Sequence, residues 1–355
     1  MTAGAGPPVG AGRGSVGAGV SITGVPIAGD AGSGPQGSVS VLGGVMVALV
    51  TPITDEGQVD HQALDGLVRS MVAAGVAGIS PLGSTGEGAS LALADRLAVL
   101  DTVLKAVPPG TPVVPGTFRD AFGDAVDDLV AYADHGATAA LVAPPHYFAA
   151  GAADLRRTFE ALAERSPLPM VLYNIPSFTK IALPPAVLAA LAGHPRVAGV
   201  KDSSRDMEYL LKVVDALGEA AVGADGFAVM TGTDTMLLSS LGAGACGAIV
   251  ASANLVPELP VGVHRAWAAG RHEEAARLER RLRQVVDTCR VGGFPAGWKA
   301  AVAATGRCGP WLVPPRAALG DEEVARLLER LTELGVLGGG RGGGQSDGGS
   351  TAGAR

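Results

Sequence analysis

Eight short apolar runs, each ending in Gly, Pro, Ser or Thr and separated by segments of helical period, constrain this chain more than any other feature. They are GVMVALVTP (44–52), GVAGISPLG (75–83), PVVPGT (112–117), AALVAPP (139–145), PMVLYNIP (169–176), VAGVKDSS (197–204), FAVMTGT (227–233) and CGAIVAS (246–252). Continuous apolar runs of this length belong to parallel strands covered on both faces. Parallel strands need a crossover helix between them, and eight such units close a sheet on itself. The expected fold class is therefore α/β, a (β/α)8 TIM barrel. An open doubly wound sheet is the competitor, but no Gly-x-Gly-x-x-Gly turn follows the first strand.

The remaining segments read differently. Residues 257–337 hold no strand candidate, and RHEEAARLERRLRQVVDTCR (271–290) and DEEVARLLERLTELGVL (321–337) carry their charges on one helical face. Residues 1–40 and 338–355 are dominated by small residues without hydrophobic period, a composition that cannot offset the entropy of ordering. The expected organisation is a disordered tail (1–40), a barrel (41–256), a helical C-terminal extension (257–337) and a Gly-rich disordered tail (338–355).

Composition narrows the function. A chain of 355 residues with 47% hydrophobic residues can bury a large core, and its net charge of -7 comes without a positive cluster that would grip phosphates. No nucleic-acid partner is expected. Cys246, Cys289 and Cys308 are too few and too scattered for a disulfide framework or a four-ligand zinc site, and a reducing cytoplasm is the expected location. The N-terminus shows neither the basic nor the compact apolar region of a signal peptide. Residues 235–257 are uncharged over a length that spans a bilayer, yet their Gly and Ser content fits a helix followed by a buried strand, so no membrane partner is expected. The six histidines show no ligand spacing; neither a metal nor a cofactor is expected.

In such a barrel the active site lies at the carboxyl ends of the strands. The polar residues there are GSTGE (Gly83 to Glu87), His146 and Tyr147, Tyr173 and Asn174, Lys201, and Gly232 and Asp234. Lys201 is the most informative, because a lysine among apolar neighbours loses hydration that favours its ammonium form, and a free amine attacks ketones. The resulting Schiff base is an electron sink for making or breaking C–C bonds. The chain has only five lysines among its 27 cationic residues, so a lysine here is mildly suggestive. Position alone leaves a solvated lysine, or one paired with Asp202, equally open. GSTGE offers hydroxyls and main-chain N–H groups suited to a carboxylate, or is simply a turn. Tyr147 and Tyr173 suit a proton relay or a half-buried core. Asp234 suits either a substrate hydroxyl or a helix cap.

Taken in order, GSTGE (83–87), PPHYF (144–148), YNIP (173–176), GVKDSS (199–204), TGTD (231–234) and ASAN (251–254) resemble the dihydrodipicolinate synthase / N-acetylneuraminate lyase family, collinearly from about Gly44 to Leu337. The resemblance implies a barrel, built into a dimer of dimers, that forms a Schiff base between the strand-six lysine and pyruvate or another 2-oxo acid. It implies Lys201 as the nucleophile, Tyr173 as the neighbouring phenol, Thr85 as the link in a proton relay, and Tyr147 as a residue reaching into the neighbouring subunit's site. Gly83, Ser84 and Thr85 would hold the carboxylate, with Gly232 and Asp234 lining the pocket. The lysine-biosynthetic synthases carry an arginine for the aldehyde's carboxylate where this chain has Phe178, and a glycine where it has Lys180, a displaced cation. His146 replaces a tyrosine common there.

The expected function is a lyase or aldolase that condenses or releases pyruvate with an aldehyde partner. Condensation with aspartate semialdehyde, the 4-hydroxy-tetrahydrodipicolinate synthase reaction, is the alternative. A non-catalytic barrel binding a 2-oxo acid is the alternative from another class.

Overall fold

The computed structural model describes residues 42–218 and 226–338, together with Met1. The expected tails, 1–40 and 338–355, lie outside the described residues apart from Met1 and Gly338.

Each apolar run carries one strand: β1 (Gly44–Ala48), β2 (Gly78–Ser80), β3 (Gly116–Thr117), β4 (Ala140–Val142), β5 (Met170–Asn174), β6 (Val197–Asp202), β7 (Ala228–Thr231) and β8 (Gly247–Val250). All pair in parallel, in the spatial order β2, β1, β8, β7, β6, β5, β4, β3. The ring closes between β2 and the segment leading into β3, where Ile79 N donates to Pro112 O and Val114 N to Ile79 O. Pro112 and Pro115 have no amide proton to give, which accounts for the single bridge at this seam and for a β3 of only two residues. The fold is a (β/α)8 TIM barrel with a helical C-terminal part.

Helices α1 (His61–Ala73), α2 (Leu93–Ala106), α3 (Phe122–His135), α4 (Ala152–Arg165), α5 (Pro176–Thr179), α6 (Pro185–Leu191), α7 (Met207–Leu217), α8 (Leu237–Gly242) and α9 (Glu258–Ala268) follow successive strands. α10 (His272–Cys289), α11 (Ala296–Ala303) and α12 (Asp321–Glu333) complete the described chain. The uncharged stretch 235–257 is divided among α8, β8 and a short 3-10 turn at Ser252–Asn254. Among the described residues no helix is long and apolar enough to cross a membrane.

Side chains alternate across the wall of the barrel. Met46 and Ala48 join Leu141, Val171, Met230 and Ile249 in the lumen, whereas Val45 and Val47 pack in the layer beneath the helices. Outside the wall, a buried network ties α2 to α3 and to the end of β3. Arg96 donates two hydrogen bonds to Asp128, at 2.6 and 2.9 Å, and Asp128 also accepts from Thr117 Oγ1. A charge buried this deeply persists only because each oxygen is paired.

Candidate active site

The alternation that builds the core also sorts the polar residues of β6. Val200 packs outward, so Lys201 projects inward and Asp202 outward again. Asp202 is held there by Asn174 Nδ2 at 2.7 Å and by the amide and hydroxyl of Ser204. Burial pushes its carboxyl above the usual range, while these hydrogen bonds pull it back. Lys201 therefore does not pair with Asp202, and among the described residues no ion pair involves it; the fully buried pairs are Arg96 with Asp128 and Lys299 with Glu87. It is only 4% exposed.

Beside it stands Tyr173. Parallel pairing of β5 with β6 sets Tyr173 against Lys201 and Asn174 against Asp202. Lys201 Nζ lies 4.5 Å from the centre of the Tyr173 ring, close enough for a cation–π contact when charged. Phe118 meets the same ring edge-on at 6.1 Å. The amine thus sits on the floor of the barrel mouth, flanked by a phenol.

Above them opens a cavity of about 390 Å³, lined by Lys201, Tyr173, Ser84, Thr85, Gly232 and Asp234 among others. Thr85 is 5% exposed, at the end of the loop after β2. Thr51 Oγ1 fixes that loop by donating to Gly86 O at 2.6 Å. Gly232 is there for want of space: a Cβ on it would lie 2.7 Å from Lys201 Cε and 2.0 Å from Ser203 Oγ. Asp234 Oδ1 accepts from Ser252 N at 2.7 Å, tying together the loops after β7 and β8. Cys289 also lines the cavity, but burial, with Asp234 adding to it, pushes its thiol up to about 12, which keeps it a thiol rather than a nucleophile at neutral pH. Among the described residues no group of three His, Cys, Asp or Glu side chains is placed to hold a metal ion.

A buried amine without a counter-ion among the described residues, a phenol and a hydroxyl-rich loop in one cavity make a site for carbonyl chemistry. The sequence matches the dihydrodipicolinate synthetase family over residues 41–333. The chain belongs to that family. Dihydrodipicolinate synthetase family members are class I lyases, aldolases that handle pyruvate through a lysine Schiff base, and this chain is an enzyme of that kind.

Curated relatives from Acidiphilium cryptum (31% identical over 295 residues, 83% of this chain and 99% of the relative) and Anaeromyxobacter dehalogenans strain 2CP-C (34% over 300 residues, 83% and 98%) are named 4-hydroxy-tetrahydrodipicolinate synthase. Among solved structures, the chain is similar to YagE, a prophage protein of the family from E. coli K12 in complex with pyruvate, with TM-score 0.79 and 29% identity over 84% of this chain and all of that one. It is similar also to the dihydrodipicolinate synthase of Thermotoga maritima, with TM-score 0.80 and 27% identity over 84% of this chain and 100% of that one.

Other residues singled out from the family pattern stand at the rim of the cavity or outside it. Gly83 does not line the cavity; its carbonyl accepts from Gly88 N within the loop. Phe178 lies on the rim, half-exposed, its ring 5.6 Å from that of Phe294. Lys180 is not among the lining residues; it caps α5 in the left-handed region (φ 58°) and donates Nζ to Ser177 O at 2.8 Å. Tyr147 is 78% exposed on the loop after β4, packed edge-on against the equally exposed Phe148. Both Tyr147 N and His146 N donate to Asp120 Oδ1, which clamps this loop. Among the cavity residues that escaped sequence reasoning are two cations: Arg205, just past β6, and Arg290, just past α10.

Proposed function

We propose that this enzyme condenses pyruvate with an aldehyde, or runs the reverse cleavage, through a Schiff base on Lys201. The observation that carries the reading is the burial of Lys201 in the cavity, against the Tyr173 ring and without a carboxylate partner among the described residues. The Nζ amine adds to the C2 carbonyl of pyruvate, and the carbinolamine loses water to give an imine. A proton then leaves the methyl carbon, and the enamine's carbon attacks the aldehyde to form the new C–C bond. Hydrolysis of the product imine frees Lys201. Tyr173, with Thr85, is suited to moving the protons of these steps, and the hydroxyls of Ser84 and Thr85 to holding the carboxylate.

Tyr147 is too exposed to serve its own site, and its display beside Phe148 supports the reading that it completes the site of a second copy in a dimer of dimers. Three free cysteines, Cys246, Cys289 and Cys308, are in keeping with a reducing cytoplasm.

The curated names favour a second reading, in which the aldehyde is aspartate semialdehyde. Phe178 ranks it second, since an apolar ring cannot replace the bidentate guanidinium that the lysine-biosynthetic synthases carry there, and the carboxylate would have to be held from another position. Borohydride reduction with pyruvate, followed by peptide mapping, tests the main reading: a reduced pyruvyl adduct on Lys201 is expected, and its absence or its location on another lysine overturns the mechanism. Efficient condensation of aspartate semialdehyde by the wild type, unimproved in Phe178→Arg, would favour the second reading.

A further inference from the structure

We propose that the aldehyde partner ends in an oxyanion, carboxylate or phosphate, and that Arg205 and Arg290 bind it; this deepens the Schiff-base reading above and rests on it. The cavity, about 390 Å³, is larger than a three-carbon acid requires, and two kinds of side chain line it besides those already named. One is aromatic: Phe178 and Phe294 pack ring against ring at 5.6 Å, and both line the cavity. The other is cationic: Arg205, from the loop after β6, and Arg290, from the end of α10. On the Phe178 side Lys180 is engaged with its own helix, and Arg316, which lines a neighbouring pocket with Phe178 and Phe294, is engaged with Ser90 Oγ, Phe294 O and Glu87.

Charge within the cavity supports this. Its lining holds three cations, Lys201, Arg205 and Arg290, against the single carboxylate of Asp234, one of whose oxygens is already bonded to Ser252 N. Once Lys201 has become a pyruvyl imine, with its carboxylate at the GSTGE loop, two guanidiniums remain for the incoming partner. Arg290 spends one nitrogen on the exposed Asp287, at 2.9 Å. Arg205 makes no ion pair or side-chain hydrogen bond among the described residues, and its neighbour Asp206 is occupied in capping α7 through Tyr209 N. A guanidinium presents a planar fork of donors that suits either oxyanion.

The backbone adds an independent sign. Arg205 has φ 63°, a left-handed conformation that a side chain with a Cβ adopts at a cost and that glycine adopts freely. Strain of this kind gathers at binding sites, where the surroundings maintain it.

The test compares condensation of pyruvate with aldehydes that differ only in a terminal oxyanion: succinic semialdehyde against butanal for the carboxylate, glyceraldehyde 3-phosphate against glyceraldehyde for the phosphate. The wild type should prefer the charged member of at least one pair by tenfold or more in kcat/KM, and which pair does so identifies the oxyanion. Arg205→Gln and Arg290→Gln should each reduce that preference about tenfold. Arg205→Gly should lose the preference while melting at a higher temperature than the wild type, an opposition that a purely structural arginine would not produce. A wild type indifferent to terminal charge, or variants that keep its preference, overturn the proposal. Borohydride trapping of pyruvate on the wild type separates the two readings: an adduct without a charge preference sinks this inference alone, and no adduct sinks both.

Discussion

Lys299 Nζ lies 2.7 Å from Glu87 Oε1, and both side chains are fully excluded from solvent. The pair joins α11 of the C-terminal helical part to the loop that carries Ser84 and Thr85. It is fastened on both sides: Lys299 donates to Trp311 O at 2.7 Å, and Glu87 Oε2 accepts from Val313 N at 2.9 Å. Removing one partner strands the other charge, which costs about 3–5 kcal/mol. Lys299→Met should therefore destabilise strongly in denaturant melts, and the double variant with Glu87→Met should recover much of the loss. A double variant no better than the single one would show that the contact is not coupled.

The same lysine gives a pH signature. Burial holds its ammonium below the usual 10.5, although Glu87 opposes the shift. Between the folded value and 10.5 the unfolded chain binds more protons than the folded one, so stability rises with pH across that window on this group's account. Urea midpoints of wild type and Lys299→Met, measured from neutral to alkaline pH, should differ in slope in that direction.

Tyr173→Phe keeps the ring against Lys201 and removes the phenol. Turnover should fall by about 10²–10⁴, the usual worth of a positioned acid–base group, while borohydride still traps pyruvate on Lys201. Turnover within threefold of wild type would remove Tyr173 from the proton relay.

Gly232→Ala puts a methyl group into the Lys201 stem and the Ser203 hydroxyl. We expect the rate of adduct formation to drop at least tenfold. Adding Ser203→Gly relieves the closer contact alone, so the double variant should stay impaired if displacement of the lysine is what matters. Full recovery in the double variant would assign the defect to Ser203.

Asp128→Asn leaves Arg96 buried beside a neutral amide and weakens the tie between α2, α3 and β3. A loss of about 3 kcal/mol or more is expected by chemical denaturation. A loss below about 1 kcal/mol would mean that water enters to solvate the guanidiniums left without a carboxylate, Arg96 and Arg119, whose Nε lies 3.0 Å from Asp128 Oδ2.

The strands were legible because burial on both faces writes itself as an uninterrupted apolar run. Lys201 was legible for the opposite reason, as a charge interrupting such a run. α11 was not: AGWKAAVA is buried almost all round, so it has no polar face to betray its period, and Lys299 within it looks like any helical surface lysine. Its partner Glu87 is remote in sequence, and pairing of that range leaves no local trace. Lys180 misled for a related reason, since sequence position near the site cannot tell that the side chain folds back on Ser177 O. Arg205 and Arg290 escaped because an arginine after a strand or helix is ordinarily solvated, and only the closed barrel brings the two to one cavity.

The facing of Tyr173 and Lys201 is a matter of main-chain register, fixed by the ladder between β5 and β6 and reinforced by Asn174 and Asp202 on the opposite face. The spacing of phenol and amine is thus gauged by peptide groups, about 4.8 Å from strand to strand, and not by the loops that receive the substrate. Loops at the rim can be exchanged, lengthened or recharged without retuning that distance. The reagent and its selectivity are consequently separable parts, and a designer could regraft the outer pocket for a new aldehyde while leaving the carbon–carbon bond-forming step as it stands.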